Sequence, residues 1–196
     1  MNTAKALSRL ALCGLFALLA CQTPPAAASD DEVWALLKKP GHIILLRHSN
    51  APGNAAESND MNFKDCSIQR NLDADGRAQA VRIGNEFRKH KISSVRIVSS
   101  QYCRAIDTAK LTKLGAVSQD PVLNQVFLAN PSAMSEAGTK GRELMKKIPA
   151  GRLTMLVTHV TNIQSMAGAK LDSGEAAVVH FDKSGEVVVD GKITVP

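Results

Sequence analysis

Ten residues, 43–52, reading Ile-Ile-Leu-Leu-Arg-His-Ser-Asn-Ala-Pro, constrain this chain more than any other stretch. Four consecutive aliphatics between Gly41 and Pro52 suit a short strand covered on both faces of a sheet, although period alone leaves a piece of helix open. A strand that ends in Arg47 and His48 delivers a guanidinium and an imidazole to one rim of that sheet. Such a pair can hold a phosphoryl group and attack it. Two later segments repeat the arrangement: Val95 to Val98 runs into Ser99-Ser100-Gln101-Tyr102-Cys103-Arg104, and Leu153 to Val157 runs into Thr158-His159.

The segments between these strands have helical spacing. Val33, Leu36 and Leu37 predict an amphipathic helix over Asp30 to Lys39. Asp73 can cap a helix running to about His90, with Ala80, Ile83, Gly84 and Phe87 on one face and Arg77, Arg82 and Arg88 mostly off it. Further helices are expected over Arg104 to Leu114, stopped by Gly115, over Ser135 to Ile148, ended by Pro149, and from about Asn162 to Ala169. Ala176 to Phe181 and Val187 to Val195, about Lys183-Ser184-Gly185, read as antiparallel strands. Alternating strands and helices predict a single α/β domain, three layers with a mainly parallel central sheet. Ligands in such sheets bind at the carboxyl ends of strands, where Arg47, His48, Arg104 and His159 all fall. Residues 49–71 have no sustained period and are too long for an idle connection, which suits a lid or pocket wall.

The order of these motifs resembles the histidine phosphatase superfamily, in its phosphoglycerate-mutase-like branch, over roughly residues 41–181. Its Leu-Arg-His-Gly motif appears as Leu46-Arg47-His48-Ser49, and its Leu-Thr-x-x-Gly-x-x-Gln-Ala segment as Leu72 to Ala80. Ser99-Ser100, Arg104-Ala105 and Thr108-Ala109 match a third motif, and Thr158-His159-Val160 stands where Gly-His-Gly is common. The resemblance implies that His48 becomes phosphorylated, that His159 is its pocket partner, and that Arg47 and Arg104 clamp the phosphoryl oxygens, with no metal or organic cofactor. Asn54 lies where relatives carry a phosphate-contacting Asn. The general acid expected in relatives is missing: Leu123 is followed by Asn124 and Gln125 rather than Glu, and Val160 replaces the Asp that another branch places after the second histidine. Glu57, Asp60, Asp65 and Glu175 remain as candidates, with Glu175 slightly ahead. His42, His90 and His180 match no motif position, and no His-x-x-x-His or Cys-x-x-Cys spacing suggests a metal.

The amino terminus reads as an export signal over residues 1–20, with Lys5 and Arg9 before an apolar run too short to span a membrane. Leu18-Leu19-Ala20-Cys21 resembles a lipobox, implying a lipidated Cys21, a tether over 21–29 and a domain over 30–196. Ordinary cleavage after Ala26-Ala27-Ala28, which would leave a soluble periplasmic protein, is the competing reading. Loss of Lys5 and Arg9 lowers the formal charge from +6 to +4, which suits an anionic substrate or membrane surface. With aromatics at 4% and no basic run interleaved with rings, nucleic acid is disfavoured as a partner. Export places Cys66 and Cys103 in an oxidising compartment, where a bridge would pin the long loop beside Arg104. The function expected is a periplasmic phosphomonoesterase acting on a small phosphorylated substrate, an envelope phosphosugar being one candidate. The alternatives are a catalytically silent phosphate-binding envelope lipoprotein and a phosphohistidine protein phosphatase.

Overall fold

A computed structural model describes residues 30–55, 57–58, 60–127 and 131–195; residues 1–29, over which the export signal, the lipidated Cys21 and the tether are expected, lie outside the described residues. Layering follows from the side-chain alternation of β1 (Ile43–Arg47). Ile44 and Leu46 pack on one face, with Trp34, Phe87, Ala105 and Ala109. Ile43 and Leu45 pack on the other, with Met145, Ile163 and Met166. A strand apolar at its first four positions must be covered on both sides, and here helices α1 (Asp30–Leu36), α2 (Ala74–Lys89) and α3 (Cys103–Thr112) cover the first face while α4 (Pro131–Lys146) and α5 (Val160–Ala167) cover the second.

The sheet has six strands in the order β3-β2-β4-β1-β5-β6, where β2 is Arg96–Ser99, β3 Val117–Gln119, β4 Thr154–Thr158, β5 Ala176–Phe181 and β6 Val187–Ile193. The first four strands in the chain run parallel, β5 is antiparallel to β1, and β6 is antiparallel to β5. The expected α/β architecture is therefore present. Central β1 and β4 pair with Arg47 opposite Thr158, so the next residues, His48 and His159, leave the sheet side by side. Asp73 caps α2 as expected, its side chain accepting from the Gly76 N–H at 2.7 Å.

Several boundaries differ for local reasons. Helix α4 begins at Pro131 rather than Ser135, because proline suits a first helical turn whose N–H groups have no intrahelical acceptor. Helix α5 begins at Val160 directly after extended His159. Helix α3 ends where Lys113 turns left-handed at φ 54°, before Gly115, which instead lies against the Val95 carbonyl. Edge strand β3 escaped sequence reading because it has three residues, of which Ser118 and Gln119 are exposed.

Candidate active site

The motif residues that pattern reading singled out form the scaffold of one pocket. The Ser49 N–H donates to Thr108 Oγ1 at 2.9 Å, and Thr108 donates to the Arg104 carbonyl one turn back, tying the chain after His48 to α3. Gln79 accepts from the Asn50 N–H at 3.0 Å and donates to the Ser173 carbonyl at 2.8 Å, linking that same chain to the segment before β5. Gly76 lies where a Cβ would stand 2.0 Å from the Asn50 carbonyl oxygen, so any side chain would push α2 off the loop. The disulfide Cys66–Cys103, with Cα atoms 5.8 Å apart, fastens the far part of the loop to the start of α3.

Both histidines are buried, with ring centroids 5.2 Å apart. His48 Nδ1 lies 2.8 Å from the Ser49 carbonyl, which can only accept, so Nδ1 carries the proton and Nε2 the lone pair. Arg104 Nε donates to that lone pair at 3.2 Å. At His159, Arg104 Nη2 approaches Nδ1 at 3.5 Å, which leaves Nε2–H to donate to Ser100 Oγ at 2.9 Å, and Ser100 in turn donates to Asn124 Oδ1 at 3.3 Å. Burial, reinforced by the positive charge of Arg104 and then of Arg47 and Arg70, pushes the His48 imidazole down to about 3. Burial, with His48 and Arg104 beside it, holds His159 well below its ordinary value. Two neutral imidazoles thus lie side by side against Arg104, one with its nucleophilic lone pair turned towards that guanidinium.

Arg104 is fully buried at the centre of this arrangement. Besides the histidines it donates to Glu57 Oε1 through Nη1 at 2.7 Å and to Gln125 Oε1 through Nη2, and its guanidinium carbon sits 4.4 Å above the Tyr102 ring. Burial lowers its pKa, with the Glu57 carboxylate opposing that shift. The structure therefore brings His48, His159 and Arg104 together. Arg47 lies at the edge: its Nη1 donates to the Leu171 carbonyl at 2.7 Å, while its buried Nε has no partner and remains free for an anion.

The carboxylate ordering inferred from sequence is corrected. Glu175 accepts from the Asp172 N–H at 2.7 Å and from Thr194 Oγ1 at 2.9 Å, Asp65 caps the 3-10 turn Cys66–Ile68, and Asp60 is exposed. Glu57, with 3% of its side chain exposed, is the carboxylate paired with Arg104. Asn54 is exposed. Arg70 was missed: its N–H donates to Glu57 Oε1 at 2.9 Å, its Nε lies 3.7 Å from Glu57 Oε2, and its charge bears on both histidines. Arg70 and Glu57 lie in the aperiodic loop, where spacing carries no positional signal. Gln125 accepts from Arg104 and brings no charge to it. His42 and His180 meet each other and Asp190 at the opposite end of the sheet.

Known phosphatases share the fold that carries this site. The model of the histidine phosphatase superfamily, branch 1, matches residues 43–137. The protein histidine phosphatase SixA, solved in complex with tungstate, superposes with a TM-score of 0.57 at 15% identity, covering 78% of this chain and 96% of that one. The mycobacterial glucosyl-3-phosphoglycerate phosphatase gives 0.58 at 17% identity, covering 78% and 98%. A phosphoserine phosphatase from Entamoeba histolytica, in complex with phosphoserine, gives 0.55 at 13% identity, covering 79% and 97%. No curated protein matches the chain in sequence. With the four motifs gathered round His48 on the fold these phosphatases share, and the family's own model matching the segment that carries three of those motifs, residues 43–137 of the chain belong to the histidine phosphatase superfamily, branch 1.

Proposed function

We propose that this protein is an exported phosphomonoesterase that works through a phosphohistidine on His48. The observation that carries the reading is the inward Nε2 lone pair of a buried, neutral His48 held against Arg104. The Nε2 lone pair attacks phosphorus as the ester P–O bond breaks, and the hydrogen bonds of Arg104 pass from His48 and Glu57 to the equatorial oxygens, where charge spreads in the transition state. Arg47 Nε supplies a further donor. The departing alkoxide takes a proton from Glu57, the carboxyl group that Arg104 releases when its hydrogen bonds pass to the phosphoryl oxygens. Water then attacks phosphorus and gives its proton to the Glu57 carboxylate, the P–N bond breaks, inorganic phosphate leaves and neutral His48 is restored. Arg104, Arg47 and Arg70 all bear on the two histidines, with Asp172 and Glu175 acting on Arg47 and Glu57 on Arg104, and guanidinium groups so placed suit a phosphate monoester.

A cleft of about 360 Å³ adjoins this pocket at Asn124 and Gln125 and is lined further by Val126, Ala133, Glu136 and Lys140. Room for a polar leaving group there supports a small phosphorylated metabolite, an envelope phosphosugar among them. Dephosphorylation of a phosphohistidine is a second reading, favoured by the neutral Gln125 beside Arg104, because imidazole leaves a phosphoramidate P–N bond with less help than an alkoxide leaves an ester. The export signal and the Cys66–Cys103 bridge support a periplasmic setting, with Cys21 as the membrane anchor. The test is to mix the protein with a phosphorus-labelled aryl phosphate, quench within one turnover, and look for an acid-labile, alkali-stable adduct. It should form in the native protein and be absent in His48→Ala. Full labelling of that variant would overturn the assignment.

A further inference from the structure

The end of the sheet opposite the phosphate pocket carries a second chemical grouping that no motif predicted. His42 stands just before β1, His180 lies in β5 and Asp190 lies in β6, so two neighbouring strands and the residue leading into a third contribute one side chain each. The pairing of Ile43 with Val179 continues to His42 beside His180. Between β5 and β6 the register shifts, Val178 facing Gly191 and Val179 facing Val189, which leaves Asp190 as the extra residue of a β-bulge. A bulge re-aims a side chain, and here Asp190 Oδ2 comes to 2.8 Å from His180 Nδ1 and 3.7 Å from His42 Nε2.

The protonation pattern of this trio favours a cation at its centre. His42 Nδ1 lies 3.4 Å from the Lys39 carbonyl, and the hydrogen bond to that acceptor puts the ring proton on Nδ1. The Nε2 lone pair then faces the Asp190 carboxylate across a gap too long for a hydrogen bond and with no proton between them. A backbone carbonyl orienting one nitrogen while the other is left free is the arrangement found behind histidine metal ligands. The three ligand atoms lie within 4.8 Å of one another. A tetrahedral zinc-type ion with bonds near 2.1 Å separates its ligands by about 3.4 Å, so closure needs roughly an ångström of side-chain movement. The side chains are 12%, 34% and 14% exposed, so all three are mostly covered yet reach solvent, which leaves the ion a path in.

We propose that His42, His180 and Asp190 bind one divalent d-block cation of the zinc or copper class, with water completing the shell. Two imidazoles and one carboxylate suit these ions over magnesium or calcium, which prefer all-oxygen shells. When the ion binds, the proton of His180 Nδ1 moves to Nε2 and Asp190 Oδ2 becomes a ligand. The site lies about 20 Å from His48, six residues along a strand that rises about 3.3 Å per residue, so the ion ties β1 to the β5–β6 hairpin and takes no part in phosphoryl transfer.

The test is calorimetric titration of the chelator-stripped protein with ZnCl₂, alongside His48→Ala, His180→Ala and Asp190→Asn. The native protein and His48→Ala should each take up one equivalent. His180→Ala and Asp190→Asn should bind at least about tenfold more weakly while keeping native aryl phosphatase rates, which shows that they are folded. Co²⁺ in place of zinc should give visible ligand-field bands that change in His42→Gln. Absence of saturable binding would overturn the proposal, as would binding that survives Asp190→Asn and His180→Ala but is lost in His48→Ala, which would put the ion in the phosphate pocket.

Discussion

Arg104 holds two jobs that can be separated by substitution, because it both aligns the histidines and neutralises the buried carboxylate of Glu57. Arg104→Ala should slow turnover roughly 100- to 1000-fold, the scale of losing a donor to transition-state charge. It should also destabilise the fold by about 3–5 kcal/mol, since Glu57 is left buried without its partner. The double variant Arg104→Ala, Glu57→Gln should regain most of the stability and none of the rate, by urea denaturation and steady-state kinetics; joint recovery would mean that Arg104 acts only through packing. Glu57 itself is tested by leaving groups. Glu57→Gln should slow an alkyl phosphate at least about tenfold more than an aryl phosphate, because only the poor leaving group needs the proton. Equal slowing of both would assign Glu57 to positioning Arg104 alone.

At the scale of elements, the loop between β1 and α2 depends on covalent and close-packed fastenings. The Cys66–Cys103 bridge closes a loop of 37 residues in sequence separation, worth about 4 kcal/mol in the chain-entropy model. Cys66→Ser with Cys103→Ser should lower stability by about 2–4 kcal/mol, read from denaturation midpoints, and should raise KM more than it lowers kcat, because the loop carries Glu57 and Arg70. A midpoint equal to that of the oxidised protein would show that the loop is held without the bridge. Helices α2 and α3 meet at Gly84, where a Cβ would lie 2.0 Å from the Thr112 carbonyl oxygen. Gly84→Ala should therefore cost about 1–3 kcal/mol, since backbone rather than a flexible side chain must yield. These elements were legible because each repeats one pattern: apolar runs for β1, β2 and β4, and helical spacing with an Asp73 cap for α2. The β3 edge was not, because three half-solvated residues bury too little apolar surface to leave a pattern.

Across the whole molecule, what sequence conveyed was which residues sit at strand ends, and what it hid was which distant residues those ends meet. His48, His159 and Arg104 follow apolar strands and could be placed; Glu57 and Arg70 reach the same point from a loop without period, and His42, His180 and Asp190 converge from two strands and the residue leading into a third. The placed histidines leave a signature on global stability. Both are buried neutral beside Arg104, Arg47 and Arg70, so their folded pKa values lie below the unfolded value near 6.5, with His48 at about 3. Between those values the unfolded chain binds more protons than the folded one, so stability is fully present above about pH 6.5 and is lost as pH falls towards 3. From pH 7 to pH 5, His48 alone should remove about 2 kcal/mol, and His159 acts in the same direction. Melting temperatures of the native protein should fall across that interval, while the double variant His48→Gln, His159→Gln should show a much flatter profile. A native profile as flat as the variant's would mean that the imidazoles take up protons within the fold, and the pocket would then not hold His48 in the neutral form its attack on phosphorus requires.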